Sequence, residues 1–196
     1  MNYIIVGLGN PGEEYKNTRH NTGRVMLEHF RKKNGFSDWA SDKKLKALVS
    51  AGKIGKGKVI LVLPEIFMNN SGKSVASLVK NKKDAERLIV IYDDIDLPLG
   101  TFKISFNRGS GGHKGIESIV KTLKTREFVR VRVGISPATP SGRLKKPSGE
   151  KVVHDFIIGN FKEKEGEVMK KLSKKVIEAI EMIFSAGHEK AMSEFN

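Results

Sequence analysis

The sequence contains no cysteine, and this absence restricts the chemistry open to it. Disulfides, thiolate metal ligands and cysteine nucleophiles are excluded, which leaves histidine, carboxylate, hydroxyl and amide side chains. Apolar runs of membrane-spanning length are also missing, so we expect a soluble chain. The N-terminus passes directly into a short apolar run, without a basic stretch or a small-residue cleavage site. We therefore expect no signal peptide and a cytoplasmic location.

Acidic residues are scarce relative to basic ones. The 36 Lys and Arg residues exceed the 22 Asp and Glu residues and give a formal charge of +14, most of it within residues 1–141. Such a surplus fits a polyanionic partner, because Lys and Arg that neutralise phosphates release condensed counterions. A lysine-rich composition that only maintains solubility would give the same charge. Charge alone therefore leaves nucleic-acid binding open.

Apolar periodicity predicts strands and helices in alternation. The predicted strands are Asn2–Leu8, Leu45–Ile54, Lys58–Leu63, Leu88–Tyr92, Phe102–Phe106, Val129–Ile135 and a short one at Val152–Ile158. The predicted helices are Thr22–Lys33, Ser71–Lys80, Lys114–Lys124 and Phe161–Gly187. A glycine-rich turn at residues 55–57 joins the second and third strands into a hairpin.

This alternation predicts an α/β fold in which helices flank a central twisted sheet. The sheet should be mixed, because the hairpin is antiparallel while helical crossovers connect parallel strands. A length of 196 residues suits a single domain over residues 1–196. Residues 136–151 are rich in Pro, Ser, Gly and Lys, which predicts a mobile surface loop. The strand order does not follow from these patterns.

Residues 7–12 (GLGNPG) match the dinucleotide-binding pattern G-x-G-x-x-G after the first strand. That fold requires a helix to begin within the motif and an acidic residue to close a second strand about 20 residues later. Here Pro11 breaks the turn, the next segment lacks apolar periodicity, and Glu28 falls in a predicted helix. We therefore interpret the motif as a tight turn.

The polar loop that follows the first strand contains Asn10, Tyr15, Arg19, His20 and Asn21. His20 is the candidate general base, although a lone loop histidine is more often a surface residue. Asp93 supplies a possible partner, because it follows Leu88–Tyr92 at the edge where α/β sheets place their sites. Its carboxylate could orient the imidazole while the other ring nitrogen takes a proton from water. A turn or helix cap is the alternative for Asp93.

Two further segments carry groups suited to acyl and phosphate chemistry. Residues 67–72 (FMNNSG) place amides before a predicted helix, where they could cap it or donate to an oxyanion. Residues 109–115 (GSGGHKG) lead into a helix N-terminus, which can bind an anion. Residues 100–135 hold eight Lys and Arg against two Glu, which predicts a phosphate-binding surface. This surface would include the predicted strand Val129–Ile135, which carries Arg130 and Arg132 on one face. A solvated charged face is the alternative.

Four motifs, GLGNPGEEYKNTRHNTG, FMNNSG, YDDIDLPLG and GSGGHKGIESI, occur in this order and are followed by VRVRVGI and VHDFIIGNF. Together they resemble the bacterial-type peptidyl-tRNA hydrolases over nearly the whole chain. The resemblance implies a monomeric α/β enzyme that hydrolyses the ester between a nascent peptide and the 3′ ribose of tRNA. The sequence contains no cofactor motif and no cluster with metal-ligand spacing, so we expect neither a cofactor nor a metal.

The resemblance also implies roles for particular residues. His20 would be the base and Asp93 its orienting carboxylate. Asn10 and Asn69 would position the substrate and stabilise the tetrahedral intermediate. The peptide channel would be lined by Met68 and Tyr15. A non-catalytic RNA-binding protein on the same scaffold is the alternative, and retention of the histidine, the carboxylate and both asparagines argues against it.

Arg132, with a lysine from the preceding strand, would bind the 5′ phosphate of tRNA, and the acceptor arm would lie on the same surface. Ser105 stands where that lysine is typical of the family, so Lys103 or Arg108 is expected to replace it.

A second departure is Lys114, which stands where asparagine is common. Its ammonium can donate hydrogen bonds but cannot accept them, which puts the substrate-holding role of this position in doubt. We also expect this cation to lower the pKa of His20 by like-charge repulsion.

Overall fold

A computed structural model describes residues 2–139 and 141–196, so that Pro140 within the predicted loop lies outside the described residues. Seven strands form one sheet in the order β2-β3-β4-β1-β5-β7-β6. They are β1 (Asn2–Gly7), β2 (Ala40–Asp42), β3 (Ala47–Ile54), β4 (Gly57–Pro64), β5 (Leu88–Pro98), β6 (Phe102–Phe106) and β7 (Val129–Ser136). The central strands β4, β1, β5 and β7 are parallel, while β3 and β6 run antiparallel to their neighbours.

Helices cover both faces of this sheet. They are α1 (Thr22–Lys33), α2 (Lys82–Ala85), α3 (Lys114–Leu123), α4 (Glu150–Ile158), α5 (Glu163–Ala186) and α6 (His188–Phe195). Short 3₁₀ helices occur at Glu13–Tyr15, Arg19–Asn21 and Met68–Ser74. Helices α1, α5 and α6 pack on one face, and α3 packs with the Met68–Ser74 segment on the other.

The alternation of side chains along the strands builds two apolar cores. In β1, Ile5 joins the core beneath α1 and α5, while Val6 joins the core beneath α3. In β5, Ile91 joins the core beneath α1 and α5, and Val90 joins the core beneath α3. Complete burial of such aliphatic side chains contributes about 1.5–3 kcal/mol each. A sheet that is buried on both faces explains why the central strands are almost continuously apolar.

The parallel order brings the carboxyl ends of β1, β4, β5 and β7 to one edge of the sheet. The polar loop after β1 and the Met68–Ser74 segment after β4 therefore lie beside each other. A side-chain site assembled from distant parts of the sequence is expected at this edge.

The predicted α/β fold with a mixed central sheet is confirmed. The helix predicted at Thr22–Lys33 is α1, and the predicted hairpin is the antiparallel pair β3 and β4 around the turn at residues 55–57. The long C-terminal helix is α5, after which the chain forms the unpredicted helix α6. The short strand β2 was also not predicted. The prediction of a mobile loop at residues 136–151 stays a prediction.

The helix predicted at Ser71–Lys80 is wrong. The chain instead forms a 3₁₀ helix at Met68–Ser74 followed by turns, and neither Asn70 nor Ser71 caps a helix there. The reason lies in the contact with α3, where the Gly72 N–H donates to Ser118 Oγ at 3.0 Å. A Cβ at Gly72 would lie 2.4 Å from the Ser118 carbonyl oxygen, so this backbone follows α3 closely. Tertiary packing overrides the helical spacing here.

The strand predicted at Val152–Ile158 is also wrong, because this segment is helix α4. A short apolar run fits a strand and a helix equally well, and periodicity alone does not separate them. Strand β5 is longer than predicted, continuing through Asp93 and Asp94 to Pro98. Its pairing with β7 continues at Asp93 opposite Val133, which keeps the backbone extended.

Glu28 links α1 to the segment before β2. Its carboxylate accepts hydrogen bonds from Trp39 Nε1 at 2.7 Å and Arg31 Nε at 2.9 Å. Burial raises the pKa of Glu28, but these bonds and a contact with Lys32 outweigh it and lower the pKa to about 2.

Across the described residues, no helix has the length and apolar character required to cross a bilayer.

Candidate active site

The 3₁₀ helix Arg19–Asn21 places His20 against β5. Gly23, in the first turn of α1, makes this possible, because a Cβ there would lie 2.2 Å from the Ile91 carbonyl oxygen and 2.5 Å from the Leu8 nitrogen. Only glycine allows the helix to approach the two strands so closely. No helix begins within residues 7–12, which agrees with the interpretation of that motif as a turn.

His20 and Asp93 form a buried pair at this edge. His20 Nδ1 lies 3.0 Å from both Asp93 oxygens, and 10% of the histidine side chain remains exposed. A carboxylate that accepts from Nδ1–H fixes the tautomer in which Nε2 holds the lone pair. His20 Nε2 has no hydrogen-bond partner among the described residues. The sequence prediction that Asp93 would lie beside His20 agrees with this geometry.

Opposing effects set the pKa values of this pair. Burial lowers the pKa of His20, but the charge of Asp93 and its hydrogen bond outweigh burial, so the pKa of His20 is raised. Burial raises the pKa of Asp93, but its contacts with His20 and His113 dominate and hold that pKa well below its usual range. Asp93 therefore stays ionised and can stabilise a protonated His20.

Asn10 is held from two sides. Asn21 Oδ1 accepts from the Asn10 backbone N–H at 2.8 Å, and Asn21 Nδ2 donates to the Asn10 carbonyl oxygen at 2.9 Å. The Asn10 side-chain oxygen accepts from the Met68 backbone N–H at 2.9 Å. This last bond fixes the amide orientation, so the Asn10 NH₂ group is left to donate elsewhere. The positioning role of Asn21 was not predicted, although it lies in the same polar loop.

The predicted substrate-contacting residues differ in their exposure. Asn69 and Phe67 are exposed at the start of the 3₁₀ helix, and Tyr15 is half-buried. Met68 is buried beneath α3, where its sulfur lies close to the Gly115 backbone. Met68 therefore lies beneath the site and is not an exposed residue at its side. Phe67 was not singled out from the sequence, although its large exposed ring lies next to Asn69.

Arg19 ties the histidine segment to the C-terminal helices. Its Nη2 donates to Glu165 at 2.8 Å, and its guanidinium lies 4.6 Å from the centre of the Phe156 ring. The Arg19 backbone N–H donates to the Gly159 carbonyl oxygen at 3.0 Å. These contacts explain why the segment that carries His20 is fixed despite its lack of apolar residues.

Comparison with known proteins assigns a family to this arrangement. A family model described as peptidyl-tRNA hydrolase matches residues 4–196. The peptidyl-tRNA hydrolase of Herpetosiphon aurantiacus is 40% identical over 196 residues, covering 99% of this chain and 90% of that protein. This chain belongs to the peptidyl-tRNA hydrolase family. The peptidyl-tRNA hydrolase of Thermoanaerobacter sp. strain X514 is 40% identical over 195 residues, covering 99% of both chains.

Solved structures give the same result. A crystal structure of peptidyl-tRNA hydrolase from Acinetobacter baumannii matches with a TM-score of 0.87 and 30% identity, covering 99% of this chain and 94% of that one. A complex of a peptidyl-tRNA hydrolase with N-propanol gives the same TM-score and identity. The resemblance carried by the four sequence motifs is therefore confirmed.

The two arginines of β7 lie on one face of the strand in this peptidyl-tRNA hydrolase family member, but that face is covered. Arg130 is fully buried, and its Nη1 donates to the Gly109 carbonyl oxygen at 2.9 Å. Arg132 is buried as well, and its Nε donates to Asp94 at 2.7 Å. Arg130 therefore does not lie on the phosphate-binding surface predicted from the sequence, because it is buried and bonded to Gly109, whereas the phosphate-binding role of Arg132 stays a prediction.

Lysine and arginine side chains around these arginines are exposed. Lys103 lies directly opposite Arg132 in the β6 and β7 pair, and its side chain is solvent-accessible. Directly opposite residues of an antiparallel pair share a face, so Lys103 and Arg132 lie beside each other. Arg108 is exposed in the glycine-rich loop, and Lys114 is exposed at the first residue of α3. Burial lowers the pKa of His20 and the charge and hydrogen bond of Asp93 raise it, whereas the like-charge repulsion expected from Lys114 is not among the causes of the shift.

Proposed function

We propose that this protein hydrolyses the ester bond between a peptide and the 3′ ribose of peptidyl-tRNA. The observation that carries this proposal is the buried His20–Asp93 pair, with His20 Nε2 and the Asn10 NH₂ group at the same sheet edge and without hydrogen-bond partners in the described part of the chain. Membership of the peptidyl-tRNA hydrolase family supplies the substrate class.

In this proposal His20 Nε2 takes a proton from water as the water oxygen attacks the ester carbonyl carbon. Asp93 accepts from Nδ1–H throughout and stabilises the imidazolium that forms. The tetrahedral intermediate then collapses, the carbon–oxygen bond to the ribose breaks, and His20 returns the proton to the departing 3′ oxygen. The products are a tRNA with its 3′ hydroxyl and a peptide carboxylic acid, which releases its proton to the solvent.

Amide donors stabilise the negative charge of the intermediate. The Asn10 NH₂ group is the first candidate, because Met68 N–H already occupies its side-chain oxygen. Asn69 is the second, because it is exposed on the adjacent 3₁₀ helix. One such donor typically contributes about 10²–10³ in rate. Tyr15 and Met68 would contact the peptide, the first at the side of the site and the second from beneath it.

Binding of the tRNA would rest on the basic surface beside this site. We propose that Arg132 contacts the 5′ phosphate with its outer edge, since its Nε is already bound to Asp94. Lys103 is the favoured partner because of its position opposite Arg132, and Arg108 is the second candidate. The acceptor arm would then extend across Lys114 towards the catalytic pair. We further propose that the protein acts as a monomer in the cytoplasm, where peptidyl-tRNA is formed.

The proposal is tested by release of labelled N-acetyl-aminoacyl groups from tRNA. Wild-type protein should release the label catalytically, and His20→Ala should lose at least about 10²-fold in kcat/KM. His154→Ala is the matched control, because that histidine contacts Asp155 at 3.4 Å in a pair that is more than 60% exposed. A wild type that binds the tRNA without releasing label would instead indicate an RNA-binding protein.

A further inference from the structure

His113 is a second histidine in direct contact with Asp93. It precedes the first residue of α3, and its side chain is only 8% exposed. Its ring centre lies 4.8 Å from that of Tyr92 and 5.1 Å from that of His20. The catalytic scheme above assigns no role to this residue, although its ring is buried within the site.

The contacts of the two ring nitrogens identify the tautomer of His113. Nδ1 lies 3.4 Å from the backbone nitrogen of Ile116, and Nε2 lies 3.1 Å from Asp93 Oδ1. A backbone N–H can only donate, so Nδ1 must present its lone pair to it. The proton of the neutral ring then resides on Nε2. His113 therefore donates a hydrogen bond to Asp93 while it caps α3.

The same carboxylate oxygen serves both histidines. Asp93 Oδ1 lies 3.0 Å from His20 Nδ1 and 3.1 Å from His113 Nε2. Two donors on a buried carboxylate fix its rotamer and spread its charge over two bonds. We propose that His113 is a positioning residue, which holds the Asp93 carboxylate in place and limits how strongly it attracts the proton of His20. This inference rests on the proposed role of His20 as base.

The direction of the effect follows from the charges around the pair. Without the His113 donor, more of the Asp93 charge would act on His20, so the pKa of His20 would rise further. A larger fraction of the base would be protonated at mildly acidic pH. The two 3₁₀ helices Arg19–Asn21 and Met68–Ser74, together with β5, β7 and α3, also carry these titratable or charged groups: Arg19, Lys73, Tyr92, Asp94, Asp96, Lys114, Glu117, Lys121, Arg130 and Arg132. Asp94 is neutralised by Arg132, and Arg19 by Glu165.

A metal ion is the other way in which these three side chains could be used. One ligand atom from each of His20, Asp93 and His113 lies within 4.8 Å of the others. Coordination by His113 Nε2 would move the ring proton to Nδ1, where it would point at the Ile116 N–H. Two donors would then face each other, which disfavours the metal-bound form. The hydrogen-bonded arrangement is the one that satisfies both ring nitrogens of His113.

Two substitutions of His113 distinguish its role as the N-cap of α3 from its role as a hydrogen-bond donor to Asp93. In His113→Asn, the side-chain oxygen can replace Nδ1 as the cap of α3, but no donor reaches Asp93. In His113→Gln, the longer amide can replace Nε2 as donor, but the cap is weakened. The measurements are the pH dependence of kcat/KM, the thermal midpoint, and the titration of the His20 ring by NMR.

We expect His113→Asn to unfold near the wild-type temperature and to lose about tenfold in kcat/KM at the plateau of its pH profile. The acidic limb of that profile, where kcat/KM falls as the base becomes protonated, should lie at higher pH than in the wild type. His113→Gln should restore the limb towards wild type and unfold at a lower temperature. A merely structural role would move the thermal midpoints and leave the limb in place in both variants. An unmoved acidic limb and an unmoved His20 titration in His113→Asn would overturn the proposal.

The NMR titration separates this proposal from the proposed function. A shifted His20 titration in a protein without hydrolase activity would refute the function and leave the positioning role of His113 standing. Titration of wild type with Zn²⁺ provides the last check. Tight stoichiometric binding that His113→Asn abolishes would overturn the hydrogen-bonded assignment in favour of a metal site.

Discussion

Replacement of Asp93 by asparagine tests the buried pair with almost no change in side-chain volume. In the wild type, both Asp93 oxygens lie 3.0 Å from His20 Nδ1, so either can accept its proton. Asparagine has one oxygen, which would have to accept from both His20 and His113. If instead its NH₂ group faces His20, the histidine must take the other tautomer and place its proton on Nε2. That nitrogen could then no longer act as base.

The loss of charge acts in the same direction. Asp93 provides the charge and the hydrogen bond that raise the pKa of His20, whereas burial lowers it. Without the carboxylate only burial remains, so the pKa should fall and the imidazolium of the transition state should lose its counterion. Loss of general-base catalysis and of the correct tautomer reduces rates by about 10²–10⁴-fold. We expect a decrease of kcat/KM within this range in Asp93→Asn.

The assay is release of labelled N-acetyl-aminoacyl groups across about pH 5 to 8, the range in which histidine titrates. The acidic limb that remains in Asp93→Asn should lie at lower pH than in the wild type. Asp155→Asn is the matched control, because that carboxylate contacts a histidine on the exposed face of α4. Near-wild-type kcat/KM with an unmoved acidic limb in Asp93→Asn would refute the role of the pair.

Three further predictions follow from other contacts. Lys114→Asn should leave the acidic limb unmoved, because Lys114 is not among the causes of the His20 pKa shift. An upward shift of the limb would instead support the like-charge repulsion expected from the sequence. Lys103→Ala should reduce the preference for tRNA with a 5′ phosphate more than Arg108→Ala does, because Lys103 lies opposite Arg132, the proposed phosphate-binding arginine. The reverse order would assign Arg108 as the partner of Arg132. The pKa of Glu28 is lowered from 4.5 to about 2, so its ionised form stabilises the fold above pH 4.5 and this contribution is lost as the pH falls towards 2. The thermal midpoint of Glu28→Gln should therefore approach that of the wild type as the pH falls over this interval. A difference in thermal midpoint that stays constant over the interval would contradict this prediction.

Local patterns in the sequence predict the central elements of this fold well. The run Leu88–Tyr92 is short, apolar and β-branched, and it forms the middle of β5. Such patterns succeed where burial on both faces dominates the choice of structure. They fail at Ser71–Lys80, because the Gly72 backbone bonds to Ser118, a partner 46 residues away. Helix α4 was missed for a different reason, since its apolar residues fit both the helical and the strand periodicity.

The site was predicted more completely in its residues than in its environment. The sequence correctly suggested that His20 and Asp93 would meet, although Asp93 lies within β5 and does not follow it as predicted. The burial of Arg130 and Arg132 could not be read from β7, because their partners, Gly109 and Asp94, lie in other parts of the chain. His113 carried a signal that was overlooked. A histidine just before a helix, at the end of a glycine-rich loop, can serve as its cap.

The central claim is that His20 is the general base and that Asp93 sets its pKa. It is tested most directly by measuring kcat/KM of the wild type across pH and the NMR titration of the His20 ring in the same buffers. The account predicts that the acidic limb coincides with the His20 titration and that both lie above the ordinary histidine pKa of 6.5. Hydrolysis that continues undiminished at a pH where the ring is fully protonated would contradict it.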